Sequence, residues 1–137
     1  MTRGRKAAIS AVDGALTDVP KPPAWLPVHA KAEWRRVLPQ LVAGRKIAAH
    51  ELGTLEAYCL AVAGIREAQT AIESNGGPYI TSVSGDLKRH PATTLQKESI
   101  EAARRLAGEL GLTPASRTKN KGGTPGDGTD SEFGVDI

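Results

Sequence analysis

With 137 residues, the chain has room for one small domain but not for two hydrophobic cores. Its apolar fraction of 39% is rich in alanine and includes only two Trp, two Tyr and one Phe, so a single copy buries little surface and is expected to gain stability from a neighbour. The net charge of +3 is compatible with a polyanionic partner, and the single cysteine excludes an internal disulfide. Because no apolar run reaches the ~20 residues of a membrane span and the start lacks a signal-peptide core, the protein is expected to be soluble and intracellular.

The first 22 residues combine basic and small residues with several prolines and show no sustained apolar period. This composition predicts a flexible arm, and Arg3, Arg5 and Lys6 make it basic. Order is expected to begin near Trp25. The predicted organisation is therefore an arm at residues 1–22, one helical domain at residues 23–118, and a disordered acidic tail at residues 119–137.

Two helices are predicted in the first half of this domain. An apolar stripe from Ala30 to Val42 predicts the first, and Pro39 is expected to kink or break it near Leu38. A longer stripe of apolar residues predicts the second helix: Leu52, Leu55, Tyr58, Cys59, Val62, Ile65 and Ile72. Gly64 lies within this stripe and indicates a close neighbour, either between protomers or inside one protomer.

A short β-hairpin is predicted next, because Tyr79, Ile80 and Thr81 precede the turn residues Ser84-Gly85-Asp86 and a basic return. The third helix is predicted from Pro91 to about Leu110. Its thinner apolar stripe comprises Leu95, Ile100, Ala103, Leu106, Ala107 and Leu110.

The stretch "LAGELGLTPASR" predicts the end of this helix and the start of another. Gly111 is expected in the left-handed capping position, with Leu112 folded back onto the last turn. Thr113 can then cap a short terminal helix that begins at Pro114.

The sequence has no catalytic or metal-binding motif. His29, His50 and His90 have no partner at a ligand spacing, and neither a phosphate-binding GxxxxGK[ST] loop nor a GxSxG elbow is present. We therefore predict no metal, no cofactor and no enzymatic activity. A small catalytic domain that uses Asp86 is one alternative, and only the exposed loop position of that residue favours it.

Basic side chains come in local groups, of which Arg45-Lys46 is one. Each group alone is typical of a solvated surface, but together with the basic arm they indicate repeated weak contact with phosphates along one polymer. The candidate DNA-binding residues are Arg3, Arg5, Lys6, Arg35, Arg36, Lys88, Arg89, Arg104 and Arg105.

The tail contains Phe133, Val135 and Ile137 among acidic residues, after a glycine-rich spacer. These three side chains are the candidate partner-binding residues, because an extended strand would present them to a groove on one side. A purely solubilising tail is the alternative.

The order of several segments resembles the small terminase subunits of tailed bacteriophages over about residues 1–118. The similarity is carried by the "TRGRK" arm, by "PPAWLPVHAKAEWRRVLPQL", by "LEAYCLAVAGIREA", and by "HPATTLQKESIEAARRLAGELGLTPASR" after the hairpin segment. The sequence departs from the family pattern at Ala48-Ala49-His50, where similar sequences have a Ser or Thr cap before the second helix.

This resemblance implies a mainly α, ring-forming protomer that is not itself an enzyme. It also implies that the single helical domain at residues 23–118 serves oligomerisation and DNA recognition. Such a protein binds double-stranded viral DNA in the host cytoplasm and recruits or regulates the large terminase subunit, which carries the ATPase and nuclease. The ring is homo-oligomeric, with a nonamer as one arrangement, and no membrane is involved. The alternative is a dimeric helix-turn-helix regulator that uses the helices around "VAGRKIAAHELG".

Overall fold

The computed structural model describes residues 11–117, which form a mainly helical fold with one small sheet. The elements are α1 (Val28–Ala43), a 3₁₀ turn (Ala49–Glu51), α2 (Leu52–Ser74), β1 (Tyr79–Thr81), β2 (Leu87–Arg89) and α3 (Pro91–Glu109). A further helical turn follows at residues 114–117. The predicted fold class is confirmed, since each predicted helix and the hairpin are present.

Helix α2 is the central element, because it packs against both α1 and α3. Its first half contributes Leu55 and Cys59 to a core that also holds Trp34 and Leu38 of α1. Its second half packs Ala68 and Ile72 against Ala92, at the start of α3. Helix α3 therefore runs antiparallel to α2 along its whole length, and its last residues reach the main core through Leu106 and Leu110.

Of the kink or break predicted at Pro39, the break is wrong, because α1 continues through this residue to Ala43. Proline removes the hydrogen bond to the carbonyl of Arg35. Both Pro39 and Arg35 are exposed, so water can solvate that carbonyl. Leu38 and Leu41 are buried, and their packing holds the helix against the core on both sides of Pro39.

The apolar stripe predicted for α3 is wrong at two positions. Leu95 and Ile100 are 46% and 45% exposed, whereas Ser99 is buried. Positions spaced by three and four from Ser99 lead to Ala103, Leu106 and Leu110, and this line faces α2. Ile100 directly follows Ser99 and therefore lies about 100° around the helix from this line. Leu95, four residues before Ser99, continues the line but is half-exposed.

Gly64 lies at a close contact between α2 and α3. A Cβ built on Gly64 would lie 2.6 Å from Oγ of Ser99. The expected close neighbour at Gly64 is therefore present, and of the two alternatives the structure supports a contact inside one protomer.

We expect Gly64→Ala to be at least about 1 kcal/mol less stable than Gly53→Ala, its matched control in the same helix. Alanine gains helix propensity at both positions, but nothing lies within 4 Å of the Cβ position at Gly53. Denaturant unfolding measures both variants. Adding Ser99→Ala to Gly64→Ala should recover most of the difference. Equal stabilities for the two single variants would contradict this assignment.

The segment before α1 contacts the helical domain from Val12 onward, ahead of the start near Trp25 that the sequence indicated. The Val12 N–H donates to the carbonyl of Arg45 at 3.1 Å, and the Leu16 N–H donates to that of Ile47 at 2.8 Å. Nε1 of Trp34 donates to the carbonyl of Pro20 at 2.9 Å. Such main-chain pairing needs no apolar period, so the sequence pattern carries no sign of it.

All three helices end in the same Schellman motif, in which a left-handed residue follows the cap. Glycine has this position after α2 and α3, where Gly76 and Gly111 have φ of 87° and 77°. After α1 the position belongs to Arg45, with φ of 56°. The two motif bonds there run from Arg45 N–H to Val42 at 2.9 Å and from Lys46 N–H to Leu41 at 2.9 Å. A side chain in this conformation costs about 1 kcal/mol relative to glycine.

Side chains cap the last two helical segments. Nδ1 of His90 accepts a hydrogen bond from the Ala92 N–H at 3.0 Å, with Pro91 in the first turn of α3. Oγ1 of Thr113 accepts from the Ser116 N–H at 3.0 Å. The predicted corner after α3 is confirmed, since Leu112 also packs on the core as expected.

Candidate nucleic-acid interface

An open groove of about 600 Å³ runs along the exposed side of α3 and is bounded at one end by β2. Hereafter this surface is the α3 groove. Its lining residues are Arg89, Thr93, Thr94, Lys97, Glu98, Glu101, Ala102 and Arg105. An adjoining depression of about 410 Å³ extends it toward α2, past Gln69 and Pro78.

Helical spacing explains why these side chains share one face. Thr93, Lys97, Glu101 and Arg105 follow one another at intervals of four residues, which places them along one side of α3. Arg89 enters from the end of β2, immediately before His90 and the helix. The sequence thus forms a line of polar and charged groups about three turns long.

The charge of the α3 groove is mixed but positive. Arg89, Lys97 and Arg105 supply three cations against the carboxylates of Glu98 and Glu101. The three cations have no ion-pair partner among residues 11–117, whereas Glu101 accepts from Arg104 at 3.2 Å. The lining therefore has a formal charge of +1 (three cations against two carboxylates), and its three cations are not held in ion pairs. Such a surface can bind an anionic polymer.

The structure separates the two predicted hairpin cations. Antiparallel pairing aligns Tyr79 with Arg89 and Ile80 with Lys88. Because successive strand residues point to opposite faces, Arg89 shares its face with Tyr79 while Lys88 lies on the other. Only Arg89 lines the α3 groove.

The two arginines of each adjacent pair on the helices also have different surroundings. Arg105 lines the α3 groove, while its neighbour Arg104 bonds to Glu101. Arg35 is exposed on α1 and has no ion-pair partner in the described part of the chain. Arg36 donates through Nε to Glu33 at 2.8 Å, although its side chain is 65% exposed.

Glu33 is a buried carboxylate that joins α1 to α2. It accepts from Arg36 of its own helix and from the Tyr58 hydroxyl of α2 at 2.6 Å. The Arg36 guanidinium outweighs burial and, with the Tyr58 hydrogen bond, lowers the pKa of Glu33. Burial, followed by the hydrogen bond to Glu33, raises the pKa of Tyr58 to about 12. Arg36 is thus tied to a structural network as well as being a candidate DNA contact.

Sequence reasoning missed Lys97. Adjacent basic pairs drew attention to Lys88-Arg89 and Arg104-Arg105, yet neighbouring residues on a helix or strand point in different directions. The available signal was the interval of four that links Lys97 to Arg105 through Glu101.

Several predicted site residues lie outside the described residues. These are Arg3, Arg5 and Lys6 near the start and Phe133, Val135 and Ile137 near the end. Cys59 is buried in the main core, and burial raises the pKa of its thiol to about 12, in keeping with its interpretation as a buried apolar residue.

Residues 11–117 contain no cluster of three or more His, Cys, Asp or Glu side chains that could hold a metal ion. Within the same range, none of the helices is both long and apolar enough to span a bilayer.

The fold and the α3 groove define a small helical protein with a basic surface and a two-stranded hairpin between its second and third helices. A family model described as phage terminase, small subunit, matches residues 30–127, which is more than half of the chain. The chain belongs to this family and therefore has a role in phage DNA packaging. No curated protein and no solved structure shows significant similarity to it.

Proposed function

We propose that this protein is a non-enzymatic packaging subunit that binds double-stranded viral DNA as a homo-oligomeric ring and brings it to the large terminase subunit in the host cytoplasm. The observation that carries DNA binding is the α3 groove, where Arg89, Lys97 and Arg105 face solvent without ion-pair partners in the described chain. Family membership supports the packaging context.

Exposed apolar side chains around the hairpin support assembly. Tyr79 and Leu87 lie on one face of the hairpin and are 53% and 68% exposed, and Val83 at its tip is fully exposed. Leu95 and Ile100 of α3 add to the exposed apolar surface. Apolar surface of this kind on a small protomer is typical of contacts between subunits.

The experiment measures particle mass and duplex binding for the full chain. Light scattering should give a mass several times that of one protomer, and the duplex affinity should fall linearly on a log-log plot against salt concentration. A mass of two protomers would favour the helix-turn-helix alternative, and a salt-independent affinity would contradict phosphate contact.

A second arm of the same experiment adds the large subunit. We propose that Phe133, Val135 and Ile137 contact it, so deleting residues 122–137 should weaken that association while leaving mass and duplex affinity unchanged. Full stimulation of the large subunit's ATPase activity by the truncated chain would contradict this role for the tail.

The helix-turn-helix alternative is less consistent with the first turns of α2. A recognition helix places its first residues against base edges and nearby phosphates. Glu51 directly precedes α2, Glu56 lies in its second turn, and these two turns contain no basic residue. The inner face of α2 is buried by α1 and α3. Catalysis by Asp86 has little support, because its carboxylate accepts from Ser84 within the hairpin turn, at 3.1 Å.

A further inference from the structure

The depression beside the α3 groove combines apolar walls with two side-chain amides. Ile72, Pro78 and Ile100 form its apolar part, and the amides belong to Gln69 and Gln96. Ile100 is 45% exposed and Pro78 is also exposed, so apolar surface is open to a ligand here. The volume of about 410 Å³ falls within the range of small-molecule sites.

A chain of hydrogen bonds holds the two amides in place. Nε2 of Gln96 donates to Oε1 of Gln69 at 2.7 Å, and Nε2 of Gln69 donates to Oε2 of Glu73 at 2.9 Å. The second N–H and the carbonyl oxygen of Gln96 have no hydrogen-bond partner among residues 11–117. An amide with a free donor beside a free acceptor can bond to the edge of a nucleobase, which presents the same two kinds of group.

The depression and the α3 groove are continuous, because Arg89, Thr93, Lys97 and Glu101 line both. Arg89 and Lys97 supply cations that have no ion-pair partner in the described chain. The carboxylate of Glu101 is paired with Arg104. A nucleotide whose phosphate contacts Arg89 or Lys97 therefore has its base beside the depression.

The bases of an intact duplex are stacked and paired, which limits their access to such a site. Taking a base out of the duplex costs free energy, and the cost is smallest for a base that is already unpaired. Proteins hold an extruded base by packing apolar side chains against its faces and by hydrogen bonds to its edge. The depression offers both kinds of contact, so it favours DNA that contains an unpaired base.

We propose that the depression is a nucleobase-binding site, in which Pro78 and Ile100 contact the face of one unpaired base and the Gln96 amide bonds to its edge. This inference rests on the proposed DNA binding and adds a contact to a base, which the cations of the α3 groove do not provide. The site accepts any of the four bases, because each has a donor next to an acceptor on its pairing edge.

The test compares the binding of the full chain to three duplexes. One is fully paired, one has an extra unpaired nucleotide in the middle of one strand, and one has the same extra position without its base. The last two have the same number of phosphates, so the difference between them measures the base alone. Fluorescence anisotropy should show at least about five-fold tighter binding when the unpaired base is present.

Variants of the depression locate the base. Gln96→Leu removes the amide and Ile100→Gln removes the apolar wall, so each should abolish most of the preference for the unpaired base. Neither variant removes a charge, so the salt dependence of binding to the fully paired duplex should not change. Gln40→Leu is the matched control, since Gln40 is an exposed glutamine of α1, and it should keep the preference. Circular dichroism checks that the variants are folded.

Equal affinity for the duplexes with and without the extra base, together with normal binding of the paired duplex, would overturn this inference and leave the proposed function intact. That comparison needs only the unmodified chain, so it holds even where a variant does not fold. A preference that persists in both Gln96→Leu and Ile100→Gln, or that is lost in Gln40→Leu, would also overturn the inference. Absence of duplex binding by the unmodified chain would overturn both the inference and the proposed function.

Discussion

Replacing Glu33 with alanine is expected to lower the free energy of unfolding by about 2–4 kcal/mol. The substitution leaves the buried Tyr58 hydroxyl without its acceptor, which was 2.6 Å away, and removes the partner of Arg36. It also opens a space between α1 and α2, because Glu33 is only 8% exposed. Chemical denaturation of the full chain measures the change.

Glu101→Ala is the matched control for this prediction. Glu101 also pairs with an arginine three residues later, but both side chains of that pair are more than 60% exposed. Exposed pairs contribute at most about 1 kcal/mol. A similar loss of stability in the two variants would mean that the Glu33 network has no special structural role. Tyr58→Phe should give an intermediate loss, because it removes the hydroxyl and its hydrogen bond while the carboxylate keeps Arg36.

The pH dependence follows from the lowered pKa of Glu33. A carboxyl whose folded pKa is below its ordinary value near 4.5 stabilises the fold at pH above that value. This stabilisation is lost as the pH falls through the folded pKa. The stability difference between the unmodified chain and Glu33→Gln should therefore be largest near neutral pH and shrink in acid. A difference that stays constant between pH 7 and 3 would contradict the charge-based explanation.

The predictable part of the fold was the part that periodicity encodes. The long apolar stripe of α2 and the glycine and threonine signals around Gly111 and Thr113 depend on nearby residues alone, and the structure confirms them. Helix boundaries and caps are local properties of the chain, so a single sequence contains them.

Features that depend on distant partners were not predictable. The break expected at Pro39 is absent because the buried side of α1 is held by other helices. The contact of Val12 with Arg45 joins main-chain atoms and leaves no pattern in side-chain types. Glu33 was not distinguishable from the exposed glutamates, since its partner Tyr58 is 25 residues away.

The candidate site also combines features that the sequence predicts with features that depend on distant residues. Basic pairs mark where charge is dense along the chain, but the side chain that joins Arg89 and Arg105 across the α3 groove is the isolated Lys97. Its place in the site follows from helix geometry together with the position of β2 at the start of α3. The helix geometry could be obtained from the residue spacing in the sequence. The position of β2 could not, because it depends on where the hairpin lies in three dimensions.

Replacing Arg89, Lys97 and Arg105 together with glutamine is expected to weaken duplex binding at least about ten-fold near 0.1 M salt. Each cation that contacts a phosphate adds about 0.9 to the slope of log binding constant against log salt, so the slope should fall by about 2.7. All three side chains face solvent, so their removal should leave the fold intact. Fluorescence anisotropy with a labelled duplex over a salt series measures both quantities, and circular dichroism checks the helix content.

Two controls separate the α3 groove from net charge. A triple variant of Lys21, Arg66 and Arg117 to glutamine removes the same charge from exposed positions outside the groove. Lys88→Gln tests the opposite face of β2, one residue from Arg89. Both should keep a slope close to that of the unmodified chain, and an equal loss in the triple control would refute a localised interface.

A substitution that is expected to tighten duplex binding, instead of weakening it, provides the strongest test of the α3 groove. Glu98 lines it without an ion-pair partner in the described chain, so its carboxylate repels a bound phosphate. Glu98→Gln should therefore tighten duplex binding, by about two- to five-fold at low salt, for a nearby charge worth ~0.5–1 kcal/mol. Damage to the fold cannot produce tighter binding, which makes this result specific to electrostatics. Unchanged or weaker binding by Glu98→Gln would mean that the DNA backbone does not lie in the α3 groove.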